Sequence, residues 1–197
     1  CWAEDSIAVG EEPLNIQAVK LLLSYKATLF VIHKISGCSL LHICARYSGP
    51  RMLQFLHDQC PMERALDMNH RTPLFWAVER DCPEALDSAR LLSQWSMDKL
   101  AFFMACGRAN PEFMRILLES KKYNVNATNE SGGTVLLYAA LNRMAGPPMV
   151  QLLLEHGADP TFSTASKQTP FTQASGNGSV DLMRSLEAYA TPTSLAR

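Results

Sequence analysis

The sequence lacks any apolar run near the roughly 18 residues a helix needs to cross a bilayer. Its densest stretches, residues 27–32 and 100–106, are short, so no membrane insertion is expected. It also lacks an excess charge of one sign. Eighteen Lys and Arg stand against 19 Asp and Glu, a formal charge of −1, which removes the general basic field that non-specific nucleic-acid binders rely on. Charged residues of either sign reach only 19% of the chain, which argues against disorder. The six cysteines all lie in the first 106 residues and include no Cys-x-x-Cys pair, too sparse a set for a disulfide scaffold. Cys44 precedes Ala45 and Cys106 follows Ala105, each inside an apolar helical run. All six therefore read as buried thiols of a reducing compartment, cytoplasmic or nuclear. His-Glu-x-x-His, the phosphate-cradling Gly-x-x-x-x-Gly-Lys-Ser/Thr, Gly-x-Gly-x-x-Gly and the Gly-x-Ser-x-Gly nucleophile turn are all missing, so the usual motifs of metalloproteases, nucleotide binders and serine hydrolases find no support. The chain opens at Cys1 with no basic-then-apolar leader, and we expect it to be a piece of something longer.

What the chain does contain is a repeat. Thr72-Pro73-Leu74-Phe75-Trp76-Ala77 recurs as Thr169-Pro170-Phe171-Thr172-Gln173-Ala174. Looser copies start at Ser39 and Thr134, and a degenerate one at Leu100. The five starts are separated by 33, 28, 34 and 35 residues. After each of the first four comes a second apolar stretch closing on a pair: Phe55-Leu56, Leu91-Leu92, Leu117-Leu118 and Leu153-Leu154. An unpartnered stretch of the same kind, 19–23, precedes the first copy.

The chemistry of the unit follows from its first residues. A Ser or Thr oxygen can accept from an orphan N–H of the first helical turn, and a following Pro fits the first helical position at no cost. About ten residues later come breaks at Ser48-Gly49, Asp81-Cys82-Pro83, Gly146-Pro147-Pro148 and Gly176-Asn177-Gly178, so a short first helix is followed by a second, antiparallel one. Helices this short are marginal alone and need neighbours to bury their apolar sides.

Thr-Pro-Leu-x-x-Ala, a leucine pair, and then Gly157-Ala158-Asp159 or Asn124-Val125-Asn126 resemble the ankyrin repeat. That resemblance implies an all-α solenoid of antiparallel helix pairs joined by β-hairpin fingers. It also implies a single domain, 1–197, with a partial N-terminal repeat 1–34, repeats 35–67, 68–96, 97–129 and 130–164, and a capping repeat with tail 165–197. Two departures stand out. The connector before Leu100 spans only residues 93–99, so that finger should be missing or reduced to a tight turn, and Asn142 to Pro148 carries two extra residues. His42 sits near Cys38, Cys44, His57 and Cys60, but it falls at the family's histidine position, where hydrogen bonding within the repeat is expected; zinc sites prefer tightly paired ligands on turns. No metal or other cofactor is expected.

The resemblance also implies a binding surface along the first helices and the fingers. Repeat positions put Arg46, Tyr47, Trp76, Glu79, Arg80, Met104, Arg108, Tyr138 and Asn142 on that side, and the fingers add Ile35, Met68, Asn69, Arg71 and Glu130. Tyr, Trp and Arg are enriched at interface hot spots. Four arginines against two glutamates make this stripe positive on a chain that is slightly negative, which suits an acidic or acidic-aromatic peptide. The alternative is that Trp76, Met104 and Tyr138 are half-buried stacking residues and the arginines a solvated face. The function expected is a monomeric, non-catalytic module for protein or peptide partners. A regulatory or targeting domain of a larger enzyme, channel or effector is the second reading, and a helical enzyme with an unrecognised site the third.

Overall fold

A computed structural model describes residues 14–27, 32–59 and 65–190; residues 9–13, which the sequence suggests as an insertion in the incomplete first repeat, lie outside them, as do Cys1 and Cys60. The chain divides into two compact units, 1–101 and 102–197. In the first, α1 (Leu14–Ser24) is followed by two helix pairs: α2 (Leu40–Tyr47) with α3 (Pro50–Gln59), and α4 (Pro73–Arg80) with α5 (Pro83–Trp95). Each first helix packs on its own second helix, α2 packs against α4, and α3 packs against α5 and α1. Contacts thus run from one repeat to the next in chain order. The boundary between the units falls within α6 (Lys99–Gly107). The second unit holds α7 (Pro111–Glu119), α8 (Val135–Leu141), α9 (Gly146–Glu155), α10 (Pro170–Gly176) and α11 (Val180–Ala190). It is layered the same way, α8 on α9 and α10, α11 on α10 and α9, and α7 on α9. The all-α repeat architecture expected from the sequence is the one observed.

The helix starts behave as the residue types require. The hydroxyl oxygens of Thr72, Thr134 and Thr169 accept from the N–H of Phe75, Leu137 and Thr172 at 3.3, 3.3 and 3.1 Å. Ser39 is the N-cap of α2, and there the third helical residue reciprocates: the Ser39 N–H donates to His42 Nδ1 at 3.1 Å. The closing leucines Leu56, Leu92, Leu117, Leu118, Leu153 and Leu154 are buried and Leu91 is half-buried, as helices too short to stand alone demand. Gly146-Pro147-Pro148 proves to open α9 rather than to separate two helices. Gly146 has φ +63, a conformation natural to glycine, and the break itself is residues 142–145.

The short connector is confirmed: only Ser96, Met97 and Asp98 join α5 to α6. Asp98 takes over the capping that Thr-Pro performs elsewhere. Its Oδ1 accepts from the N–H of Leu100 (2.7 Å) and Ala101 (3.1 Å), and its Oδ2 accepts the Thr72 hydroxyl. A buried carboxylate thereby caps one first helix and holds the cap of the preceding one. Among the described cysteines Cys38, Cys44 and Cys106 are buried, as expected, while Cys82 is half-buried because it stands at the N-cap of α5, and all four are free thiols.

Candidate partner-binding surface

In the first unit, positions 43, 46 and 47 on α2 and 76, 79 and 80 on α4 are one repeat length apart, 33 residues, and the two helices pack side by side. By repeat register Ile43 corresponds to Trp76, Arg46 to Glu79 and Tyr47 to Arg80. The middle row is an ion pair, with Arg46 Nη1 2.9 Å from Glu79 Oε2. The Arg46 guanidinium also lies 5.4 Å from the Trp76 ring centroid and 5.7 Å from that of Tyr47, within cation–π range. Arg71, from the finger, reaches the same indole at 5.5 Å and the Phe75 ring at 5.3 Å, with its Nη1 3.9 Å from Glu79 Oε1. Six of the residues expected at the surface are thus brought together here: Arg46, Tyr47, Arg71, Trp76, Glu79 and Arg80.

Asp67, a residue the sequence reading did not include, organises this group. The finger closes with the Asp67 N–H donating to the Arg71 carbonyl at 3.0 Å. Asp67 Oδ1 then accepts the N–H of Asn69 (2.8 Å) and of Arg71 (3.0 Å), while Oδ2 accepts Arg71 Nε–H (2.8 Å) and the Trp76 indole N–H (3.0 Å). Burial alone would raise the Asp67 pKa, but these bonds from Arg71, Trp76 and Asn69 outweigh it and hold the carboxyl below the ordinary aspartate value, since each favours the ionised form. Asp67 also changes the charge balance. Arg46, Arg71 and Arg80 face Glu79 and Asp67, three against two, so the patch keeps an excess of one positive charge. A signal was available: an aspartate at the start of a finger, nine residues before an aromatic on the next helix.

His42 supports the cluster from beneath. Its Nδ1 accepts from the Ser39 N–H, so Nε2 carries the proton and donates to the Arg71 carbonyl at 2.9 Å, and the edge of the ring meets Trp76 at 5.7 Å. Burial lowers its pKa, against the raising effect of the Arg71 carbonyl and of Asp67. Both nitrogens are engaged within the repeat. Burial pushes the Cys44 thiol up to about 11 and the Cys106 thiol to about 12, so both stay protonated at neutral pH.

The second unit places the remaining expected residues differently. Met104 is half-buried on α6 and Arg108 is exposed just beyond it. Tyr138, on α8, accepts a hydrogen bond at its hydroxyl from Asn129 Nδ2 (2.8 Å) and meets the Phe103 ring edge-on at 5.8 Å. Asn142 is occupied by the fold. Its Nδ2 donates to the carbonyls of Cys106 (3.3 Å) and Gly107 (3.2 Å), which end α6, and so satisfies orphan acceptors of the preceding first helix. Asn177 repeats this on Ala140 and Leu141 at 2.9 Å each. Asn142 and Asn177 are thus repeat-to-repeat ties, 35 residues apart.

Short capped helix pairs, layered in chain order and joined by closed fingers, define a repeat module of the kind that generally mediates protein interactions. Residues 86–164 match the family model described as ankyrin repeats (3 copies). The fold is shared with an ankyrin repeat domain from Acinetobacter baumannii AYE at a TM-score of 0.75 and 24% identity, over 89% of this chain and 92% of that one. The chain thus contains ankyrin repeats and has the fold of an ankyrin repeat domain. Among curated relatives it is similar to palmitoyltransferase akr1 of Schizosaccharomyces pombe, 42% identical over 59 residues, 30% of this chain and 9% of that protein. It is also similar to the human transient receptor potential cation channel subfamily A member 1, 27% identical over 161 residues, 78% of this chain and 13% of the channel. The chain therefore spans only a small part of the length of these relatives. Among the described residues no helix is long and apolar enough to cross a membrane.

Proposed function

We propose that this chain is a non-catalytic module that binds an acidic or acidic-aromatic segment of a partner protein on its first helices and fingers. The observation that carries this reading is the α2–α4 patch, where Tyr47 is 63% exposed beside the Arg46 guanidinium and the half-buried Trp76 and Arg80. Aromatic and guanidinium groups presented together supply both contact area and charge recognition. Its excess positive charge, set on a chain of formal charge −1, favours an acidic partner over nucleic acid, whose phosphates call for a broader basic field. On this reading the domain acts as a monomer in the cytoplasm or nucleus, needs no cofactor, and carries its repeats at the boundaries 35–67, 68–96, 97–129 and 130–164. Within the second unit, taken by itself, Met104, Arg108 and Tyr138 are the residues assigned to partner contact, while Asn142 contributes by holding its neighbours in place.

The test is a double charge reversal, Arg46→Glu with Arg80→Glu, in affinity capture from cell extract. Loss of the captured proteins by at least about tenfold, with helicity and melting temperature retained, is the expected result; capture of the same proteins in the same amount would remove the patch from the binding surface. A second reading, a regulatory or targeting domain within a larger enzyme or channel, is favoured by the small share of akr1 and of the human channel that the match spans. It is compatible with the first, because such a domain would use the same patch.

A further inference from the structure

The two guanidiniums on Trp76 are held in unequal ways. Arg71 is tied through Nε at 2.8 Å to Asp67, whose side chain is fully buried, and its own backbone N–H and carbonyl are bonded to Asp67 and His42. Arg46 has a single ion pair, to Glu79, and both partners face water: the Arg46 side chain is 39% exposed and that of Glu79 23%. An exposed pair of this kind contributes little, because solvent screens it and two long side chains must be ordered to make it. Around it the patch offers what a peptide would use. Ile43 and Tyr47, one turn apart on α2, are both exposed, and Arg80 makes no ion pair among the described residues.

We infer that Glu79 is a built-in stand-in for the partner's carboxylate. It occupies Arg46 in the free protein and is displaced when an acidic side chain docks, with a neighbouring aromatic or aliphatic residue of the partner packing on Tyr47 and Ile43. This rests on the proposed function and changes one role within it: Glu79 competes with the ligand instead of contacting it. Charge complementarity selects the occupant. Once Glu79 is released, Arg46 and Arg80 face the incoming segment, and a bidentate carboxylate–guanidinium pair is available to it. The weak hold on Arg46 acts as a threshold. A lone carboxylate exchanges one exposed ion pair for another with little gain, so only a segment that adds apolar contact binds well.

The experiment uses the whole chain and a fluorescein-labelled peptide, acetyl-Glu-Glu-Phe-Glu-Glu-amide, followed by anisotropy. Glu79→Gln is expected to tighten binding by about two- to fivefold, the range an exposed pair allows. Asp87→Asn removes the same charge from an exposed position on α5 and should leave affinity unchanged, whereas Arg46→Gln should weaken it about tenfold, alone and combined with Glu79→Gln. A Glu79→Gln protein that binds no tighter than wild type, while Arg46→Gln weakens, overturns the stand-in and leaves the binding surface standing. Equal tightening by Asp87→Asn also overturns it, because the gain would then be general electrostatics. No binding by any of these proteins, or no effect of Arg46→Gln, overturns the binding surface itself. Thermal melts of each variant, expected to match wild type, separate these outcomes from misfolding.

Discussion

Residues 67–76 in the first unit and 129–138 in the second build the same lock from different chemistry. In both, a side-chain oxygen at the start of the finger accepts the backbone N–H two and four residues on: Asp67 from Asn69 and Arg71, Asn129 from Ser131 and Gly133. The second terminal atom of the same side chain reaches the aromatic nine residues on. Asp67 accepts the Trp76 indole N–H, whereas Asn129 donates to the Tyr138 hydroxyl. Closing the finger needs only an oxygen, so the other atom is free to match the polarity of the aromatic. The position four residues on differs in step. Arg71 lays a cation beside Trp76 in the charged lock, while a Cβ added at Gly133 would lie 2.8 Å from Tyr138 Cε2. Trp76 is thereby surrounded by charge and Tyr138 by neutral groups.

Breaking the charged lock should have the largest effect. Asp67→Ala strands the Arg71 guanidinium, the indole N–H and two backbone N–H groups, and is expected to cost about 3 kcal/mol or more in urea unfolding. Asp67→Asn should cost less, since its amide oxygen still closes the finger. In the neutral lock, Gly133→Ala forces the Tyr138 ring to shift and should cost about 1–3 kcal/mol by the same measurement.

Acid should tell the locks apart most finely. His42 and Asp67 both have pKa values lowered by folding, from ordinary values of 6.5 and 3.8. In each case the unfolded chain binds its proton first, so the contribution is fully present above the ordinary value and is lost as pH falls through the folded one. Stability should decline below about pH 6.5 as the His42 Nδ1 acceptor is protonated, and again below about 3.8 as Asp67 is. Asn129 does not titrate. Asn129→Asp should therefore change stability at neutral pH by only about 0.5–1 kcal/mol, because a carboxylate can accept from the Tyr138 hydroxyl. It should add a new loss in acid, visible as a steeper fall of melting temperature between pH 5 and 3.

Much of the fold was legible because its signals are local. A capping Thr acts on an N–H three residues away, and a leucine pair declares a buried side within one turn, so helix pairs, their order and the shortened connector could all be read from Thr72-Pro73, Leu117-Leu118 and residues 93–99. The surface was legible in part. Repeat register brought Arg46, Tyr47, Trp76, Glu79 and Arg80 to one place, but it said nothing about Asp67, which acts on Trp76 across the finger, or about Asp98, which substitutes for Thr-Pro at α6. Asn142 was read as a contact residue because its position faces the same side. Its carboxamide proves to be used by carbonyls 35 and 36 residues earlier.

The sequence by itself determined that this chain is built of short capped helix pairs that cannot be stable singly, because caps, turn residues and apolar spacing act over a few residues. Only the tertiary structure decided which of its polar groups are already satisfied. Arg71, Trp76 and Asn142 are bound within the fold, whereas Tyr47 and the lightly held Arg46 remain at the surface. That outcome depends on which side chains lie within about 3 Å of one another across repeats, a distance that composition and spacing do not encode.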